Sequence, residues 1–571
     1  MRFSRRDILK GMGAAGLTPL VVAGCGSDGG TGGTGGVGGM GGAGGMGGTD
    51  IPPLPDDLPD YEWTATLGPE NLFEHGVASG DPSTDGVVIW TRISTEEAPV
   101  DPPESNDPLE VWWELALDEA FTMRTAQGTF RTSPDRDFTA KIEVADLVWG
   151  RNYYYRFFAQ GRQSPIGRTR LAPQGSETSQ LRFGVCSCAN YGFGYFHAYR
   201  HMAERADLDA VLHLGDYTYE YENGVYPSFA DQLRPVEPAN ETITLQDYRT
   251  RLSQYRRDPD LQECHRQHPF IVVWDDHESA NNSWMNGAEN HDPLTEGPWE
   301  TRLAAARQAF FEWIPIREEN NPNKELYRSL KYGDLADIIM LDTRIEGREE
   351  QGPLSVVIPD SPNNPENIIS ATQEAWLQEQ LSSSTATWKI IGNQVVMSLW
   401  QIINPVNDAI TYANQDQWNG YPEGRRRVME YLRDNEISNI VVVTGDVHSS
   451  WAMDVTVGDG SYDSETREGA VGVEFVTPGV TSPLEIAQQI VDLFINNSPH
   501  IRYAEATKRG YLVLDVQRDK VQADWYLLDG LAQNEGNQSL DASWAVFDGA
   551  PHVVEMSGAE SPIGTPPPLA S

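Results

Sequence analysis

The sequence predicts an α/β fold preceded by an all-β sandwich of the fibronectin/Ig-like kind. Three observations carry that prediction. Residues 73–173 read as short alternating strands separated by turn residues. From about residue 181 the grammar changes to apolar strands alternating with helix-length stretches. Five of those apolar runs end abruptly in polar, ligand-type side chains. At 571 residues the chain is too long for one compact core. Its 39% apolar, 22% charged and 10% aromatic content excludes a wholly disordered chain and a multispanning membrane protein. With 42 basic against 84 acidic residues the formal net charge is −42. Such a surface repels polyanions, which argues against a nucleic-acid-binding surface.

In chain order, residues 1–25 read as an export address. Arg5-Arg6 stands ahead of an apolar run over residues 12–23 that is too short for a permanent membrane span. The run closes in Val22-Ala23-Gly24-Cys25, which resembles the lipobox of bacterial lipoproteins. That resemblance implies cleavage before Cys25 and lipidation of its thiol. The expected destination is the cell envelope or periplasm, reached by the twin-arginine route and held at the membrane by a lipid tether. Because that route carries folded proteins, at least one metal is expected to be loaded in the cytoplasm. Residues 26–48 are almost entirely Gly-Gly-Xaa, and prolines occur over residues 52–59. A stretch without side chains to bury cannot offset its backbone entropy, so residues 26–60 are expected to form a flexible tether. Four cysteines are present, Cys25, Cys186, Cys188 and Cys264. Three remain once Cys25 is lipidated, which excludes a disulfide framework and leaves a Cys186–Cys264 bridge open.

Residues 69–175 form the expected sandwich. Its clearest strands are 86–92, 111–115 and 153–157, with turns at Gly80-Asp81-Pro82 and Trp149-Gly150-Arg151-Asn152. Leu147, the glycine turn and the tyrosine-rich strand resemble the corner of fibronectin-type sandwiches. No catalytic constellation falls inside this unit, and His75 is expected to be structural.

Residues 180–530 form the α/β domain, and 531–571 a tail. Strands are expected at 181–186, 210–214, 270–274, 338–341, 389–391 and 440–444, with a crossover helix over 195–205. The residues at the carboxyl ends of these strands are the informative ones. The first strand runs into Cys186-Ser187-Cys188, the second into Gly215-Asp216-Tyr217-Thr218-Tyr219-Glu220 and the third into Asp275-Asp276-His277-Glu278. Two later ones run into Gly392-Asn393-Gln394 and Gly445-Asp446-Val447-His448. Ligands of open α/β sheets bind at the carboxyl ends of the strands, so the strings are expected to meet. Taken singly each has a plain structural explanation, such as a turn or a buried thiol. Taken together they supply thiolate, phenolate, carboxylates and one imidazole, a set suited to trivalent iron and hard cations. A structural zinc would need a closed Cys/His set that is missing here.

On these strings the chain is similar to the calcineurin-like metallophosphoesterases, specifically the alkaline phosphatase D (PhoD-like) family. Glu74-His75-Gly76-Val77-Ala78-Ser79-Gly80-Asp81-Pro82, Leu341-Asp342-Thr343-Arg344 and Thr477-Pro478-Gly479 extend the likeness over most of the chain. The resemblance implies a metallophosphoesterase mixed β-sheet sandwich flanked by helices. It also implies a ferric ion (Fe3+) with calcium (Ca2+), other divalent metals such as Zn2+ or Mn2+ being the alternative. Carried over by position, it implies Cys188, Asp216, Tyr219 and His448 on the iron side, with Asp216 bridging. Asp276 or Asp275, together with Asp446 and Asn393, falls on the calcium side. Cys186 and Cys188, like Asp275 and Asp276, are neighbours that can exchange roles.

The implied activity is metal-dependent hydrolysis of phosphate mono- or diesters by activated water, for phosphate scavenging outside the cytoplasm, by a monomer. His277 is the candidate catalytic residue, assisting the leaving group or holding the transition-state oxygens. Arg344 is expected to make a structural salt bridge rather than a phosphate contact, and His197, His201 and His213 to be structural. The alternatives are a phospholipase D-type or wall-polymer phosphodiesterase, which selective diester hydrolysis would reveal, and a non-catalytic surface-binding protein.

Overall fold

The computed structural model describes residues 2–3, 59–64, 67–94, 108–318, 321–352, 356–403, 410–458, 461–484 and 488–571. Cys25 and the glycine-rich tether lie outside the described residues. Two sheets face each other. The first is ordered Thr139–Val144, Val87–Arg92, Val77–Gly80, Pro269–Val272, Ala210–His213, Gln180–Cys186, Gly510–Gln517, Lys520–Leu528, Gln538–Phe547 and Ala550–Glu555, with Arg2–Phe3 at its edge. The second is ordered Arg328–Tyr332, Ala336–Met340, Trp388–Asn393, Ile440–Thr444, Ala470–Val476, Ser450–Thr456 and Ile501–Glu505.

The inner strands of each sheet are parallel, as helical crossovers require, and antiparallel strands close the flanks. Period-two alternation decides which side chains fill which layer. Phe183, Leu212 and Ile271 from the first sheet meet Ile338, Ile390 and Val441 from the second in a dry core between the sheets. The alternate residues face helices. Cys186 and Val211 pack with Ala198 and Met202 on one outer face, and Ile339, Ile391 and Val442 with Leu377 and Met429 on the other. This is the expected mixed β-sheet sandwich flanked by helices. The crossover helix is shorter than expected, His197–Ala203. Among the described residues no helix is long and apolar enough to cross a membrane.

The N-terminal all-β unit has its own core, in which Ile89 and Ile142 pack against Val111, Trp113, Tyr155 and Phe157. Tyr153 makes the expected corner: its hydroxyl donates to Val148 O and accepts from Val148 N, both at 2.9 Å. The two units are nevertheless not separated by a gap in the hydrogen bonding. Val77–Gly80 pairs in parallel with Pro269–Val272, so one sheet runs through both. Residues 531–571, set apart in the sequence as a tail, also supply the strands Gln538–Phe547 and Ala550–Glu555. Their alternation is interrupted by exposed polar residues on the outer edge of the sheet, which hides the strand signal. Cys186, Cys188 and Cys264 are all free and buried, so the Cys186–Cys264 bridge that the cysteine count leaves open is not formed.

Candidate active site and metal centre

Parallel register brings the carboxyl ends of the inner strands to one edge, where their loops must fold back sharply. Cys188, Asp216, Asp446 and His448 all adopt left-handed backbone, with φ of 60°, 53°, 63° and 53°. Non-glycine residues rarely do so, at a cost of about 1–3 kcal/mol each, and such positions cluster where function fixes them. Gly215, with φ of +105°, allows the closest approach. A Cβ there would stand 2.4 Å from Asp275 Cβ, so only glycine lets the Asp216 and Asp275 loops touch.

The side chains converge in overlapping groups. Ligand atoms of Cys188, Asp216 and His448 lie within 4.8 Å of one another. The same holds for Asp216, Asp276 and His277, and for Asp275, Asp276 and Asp446. Asp216 and Asp276 therefore stitch a thiol–imidazole side to a carboxylate side. Tyr219 joins the first: its hydroxyl donates to Asp216 Oδ2 at 2.8 Å, lies 3.1 Å from His448 Nε2 and accepts from Ser482 Oγ at 2.7 Å. His448 Nδ1 donates to Pro483 O at 2.8 Å, which leaves Nε2 as the atom facing the cluster. Burial lowers the His448 pKa to about 4, so this imidazole is a neutral ligand-type group. Burial also pushes the Cys188 thiol well above its ordinary value, with Asp216 adding to the effect.

The carboxylate side is organised around Arg344, which is fully buried. Its guanidinium pairs with Asp275 Oδ1, donates to Asp446 Oδ1 at 2.6 Å, and grips Asp416 through two bonds of 2.9 and 2.7 Å. The structural salt bridge expected of Arg344 is thus made, and made to candidate metal ligands. Burial raises Asp275 well above the carboxylate range despite Arg344, and raises Asp446 to about 6. Burial also opposes ionisation of Asp276, yet Arg344 and His277 outweigh it and hold that carboxyl below its ordinary value.

The residues present fit a cation pair. Asp216 Oδ1 and Asp275 Oδ2 are buried without a hydrogen-bond partner, and Asp276 Oδ1 has only Arg344 Nη2 at 3.5 Å. Buried carboxylate oxygens without hydrogen-bond partners on two adjacent loops are costly unless a cation meets them. Of the residues expected here, two stand apart. Asn393 accepts from Trp418 Nε1 at 3.1 Å and donates to Val395 O, so an indole and a backbone carbonyl occupy its amide. Cys186 faces the helix-side core, while Cys188, two residues on, stands in the cluster. Both Asp275 and Asp276 are in the cluster, Asp275 more tightly tied to Arg344.

His277 lies over Tyr219 with ring centroids 4.2 Å apart, and its Nδ1 is 2.7 Å from Glu220 Oε2. Burial works against its charge, but the carboxylates of Asp276, Glu220 and Asp216 prevail and raise its pKa well above the ordinary value. Sequence reasoning gave no role to the carboxylates that hold these loops. Glu278 accepts from Asp216 N at 3.1 Å, Asp275 N at 2.7 Å and Tyr217 N, joining two strand-end loops through one side chain. Glu220 accepts from Asn281 N at 2.7 Å besides orienting His277. Both lie inside the strand-end strings, but nothing in their spacing separates an anchor from a ligand. Gln417, which donates to Asp446 Oδ2 at 2.7 Å, lies in no such string. His75, His197, His201 and His213 are bonded within the fold and away from this edge, as expected.

Comparison with known proteins places this geometry in context. Residues 183–525 match the family model of the PhoD-like phosphatases, and residues 63–173 that of the PhoD-like phosphatase N-terminal domain. The chain is 37% identical over 484 residues to alkaline phosphatase D of Bacillus subtilis (strain 168), covering 83% of this chain and 80% of that protein. The solved structure of PhoD superposes with a TM-score of 0.79 at 33% identity, over 88% of this chain and 94% of that one. The purple acid phosphatase PPD1 from yellow lupin (Lupinus luteus) seeds superposes with a TM-score of 0.52 over 83% of this chain and 73% of that one. At 12% identity the lupin enzyme shares the fold alone.

Proposed function

The chain belongs to the PhoD-like phosphatase family and is a phosphoric ester hydrolase, and from that premise we propose that it hydrolyses phosphate mono- or diesters at the Asp216–Asp276 cluster. Cys188, Asp216, Tyr219 and His448 would hold a ferric ion, and Asp275, Asp276 and Asp446 calcium. Thiolate and phenolate suit the first, and oxygen donors alone the second. The carrying observation is the set of buried carboxylate oxygens on Asp216, Asp275 and Asp276 that have no hydrogen-bond partner. When bound, such a cation pair supplies charge neutralisation at the phosphoryl oxygens and acidifies water for in-line attack.

The chain's own residues do the rest. Pro483 fixes the tautomer of His448, and Ser482 orients the Tyr219 hydroxyl. Glu278 holds the Asp216 and Asp275 loops at one separation, so the ligand geometry is set before substrate arrives. Glu220 accepts a hydrogen bond from Nδ1 of His277, leaving Nε2 to hold a proton for the departing ester oxygen. The twin-arginine pair and Cys25 support export and lipid anchoring at the cell envelope, where such an enzyme would scavenge phosphate.

Elemental analysis of the purified protein tests the metals, and Asp216→Asn tests the site. Iron with calcium is expected, and Asp216→Asn should abolish hydrolysis while leaving the circular dichroism spectrum unchanged. Zinc or manganese would replace the metal pair proposed here. Full activity in Asp216→Asn would refute the ligand assignment.

A further inference from the structure

Building on the phosphoesterase reading, we propose that Arg509 grips the non-bridging oxygens of the substrate's phosphoryl group. A phosphate entering this edge meets the carboxylates of Asp216, Asp275, Asp276 and Asp446, so protein cations have to face it as well. Three other arginines here are held mainly by the protein itself, with only Arg348 Nε left without a hydrogen-bond partner. Arg344 is committed to Asp275, Asp416 and Asp446, and Arg348 to Asp416 and Thr343 O. Arg251 donates to the carbonyls of Tyr219, Tyr221, Glu237 and Pro238.

Arg509 differs from all three, since its Nε and Nη1 are sheltered from solvent and have no hydrogen-bond partner. The nearby Glu505 carboxylate does not take them, because it caps its own turn by accepting from Thr507 N at 3.0 Å and Lys508 N at 2.9 Å. A guanidinium with two sheltered, unpaired nitrogens is costly, and it offers the planar fork that matches phosphate oxygens.

Register places Arg509 at the site from both sheets. Gly510–Gln517 runs antiparallel to Gln180–Cys186 with Leu512 opposite Val185, so its first residue lies at the edge where the Cys188 loop emerges. Gly510 N donates to Gly479 O at 3.1 Å, and Gly479 in turn bridges to Ser187. In the other sheet, Glu505 pairs with Ser450, two residues after His448. The turn over residues 506–509 therefore crosses between the Cys188 and His448 loops. The electrostatics agree: Arg509 is among the charges that depress His448, and it senses Tyr226, whose ring lies 6.0 Å from that of Tyr219.

The test is calorimetric titration of the metal-containing protein with inorganic phosphate, repeated for Arg509→Gln and Arg509→Lys. Losing a charged donor to phosphate should weaken binding about tenfold to a hundredfold in Arg509→Gln. KM for a phosphomonoester should rise in parallel, with metal content and melting temperature unchanged, and Arg509→Lys should recover part of the affinity. Unchanged phosphate affinity in Arg509→Gln would overturn the proposal. So would an equal loss in both variants accompanied by lost metal or a lowered melting temperature, which would make Arg509 a structural residue. Because phosphate is the probe, an active Asp216→Asn variant would sink the ligand assignment while leaving this test standing.

Discussion

His277 shows how a single residue is tuned by its surroundings. Burial alone would strip its proton, but three carboxylates around it, Asp276, Glu220 and Asp216, keep it charged. The Tyr219 ring beneath and Glu220 at Nδ1 fix its plane. A proton held this way is useful only when the departing oxygen needs one. His277→Asn should therefore lower kcat by about a hundredfold or more on an alkyl phosphate, whose alkoxide must be protonated. On a nitrophenyl ester, whose leaving group departs unprotonated, the loss should be much smaller. Comparing kcat for the two esters checks this, and equal losses on both would assign His277 to holding the phosphoryl oxygens instead. At this scale the sequence was informative wherever a ligand-type residue comes directly after an apolar strand, as for Cys188, Asp216, Asp276 and Asp446. Asn393 ends a strand equally directly, yet Trp418 and Val395 occupy its amide. Trp418 lies in a short 3-10 helix and Val395 in a bend, neither of which a strand pattern announces.

Among the elements, the strands were legible because their inner residues alternate between two apolar layers. Ile390 faces the core between the sheets and Ile391 the helices, and either choice demands an apolar side chain. Pairing between distant segments was not legible, because hydrogen bonds between backbones leave no trace in residue type. That is why nothing in the change of composition announces the parallel pairing of Val77–Gly80 with Pro269–Val272, which joins the two units through one sheet. The segment after Glu555 is another case. It reads as a polar, proline-rich tail, yet it straps the molecule. Gly558 O accepts from Gln522 Nε2 at 3.0 Å, Glu560 N donates to Asp524 Oδ2 at 3.0 Å, and Ile563 N donates to Gln180 Oε1 at 2.6 Å. Farther on, Ala570 exchanges two 2.9 Å bonds with the buried side chain of Gln267, and Ser571 N donates to Glu119 Oε1 at 2.8 Å. The strap thus links the large sheet to the helix Pro259–Gln267 and to the N-terminal unit. At about 1 kcal/mol per net hydrogen bond, deleting residues 557–571 should cost roughly 4–6 kcal/mol. Thermal unfolding should show a melting temperature lower by several degrees, with kcat/KM unchanged because no strap residue reaches the metal centre. A fall in kcat/KM at a temperature where both forms stay folded would show that the strap also positions the site.

Across the whole molecule, the distribution of buried ionisable groups fixes the response to acid. Burial depresses His213 and His268 to about 3 and His500 to about 4, and it holds His75 and His265 well below their ordinary value. Each is neutral when folded and takes up a proton on unfolding once the pH falls below about 6.5. For a histidine with a lowered folded pKa, stability is intact above the unfolded value and is lost as pH drops from there towards 3–4. Buried carboxylates outside the metal centre pull the other way. Asp515 is raised to about 6, and Asp524 and Glu474 are raised as well, each chiefly by burial. A raised carboxyl binds its proton in the folded state first, so Asp515 gains stability as pH falls below about 6, and Asp524 and Glu474 gain it as pH falls through their own raised values. The five histidines outnumber the three carboxyls, so near pH 5 unfolding takes up protons on balance and stability falls as the pH drops. Metal ligands add to the fall in the loaded protein, because acid displaces cations from their carboxylates. The melting temperature of the metal-containing protein should therefore be level from pH 9 to 7 and drop by several degrees per unit below pH 6. His268 and His500 provide the control, since each donates from Nε2 to one backbone carbonyl, of Met202 at 3.0 Å and Leu399 at 2.7 Å. Glutamine can make the same bond without titrating. The His268→Gln/His500→Gln variant should take up fewer protons on unfolding than the parent, and its melting temperature should fall less steeply below pH 6. A slope as steep as the parent's would mean that the acid sensitivity resides in the metal cluster and not in the buried histidines.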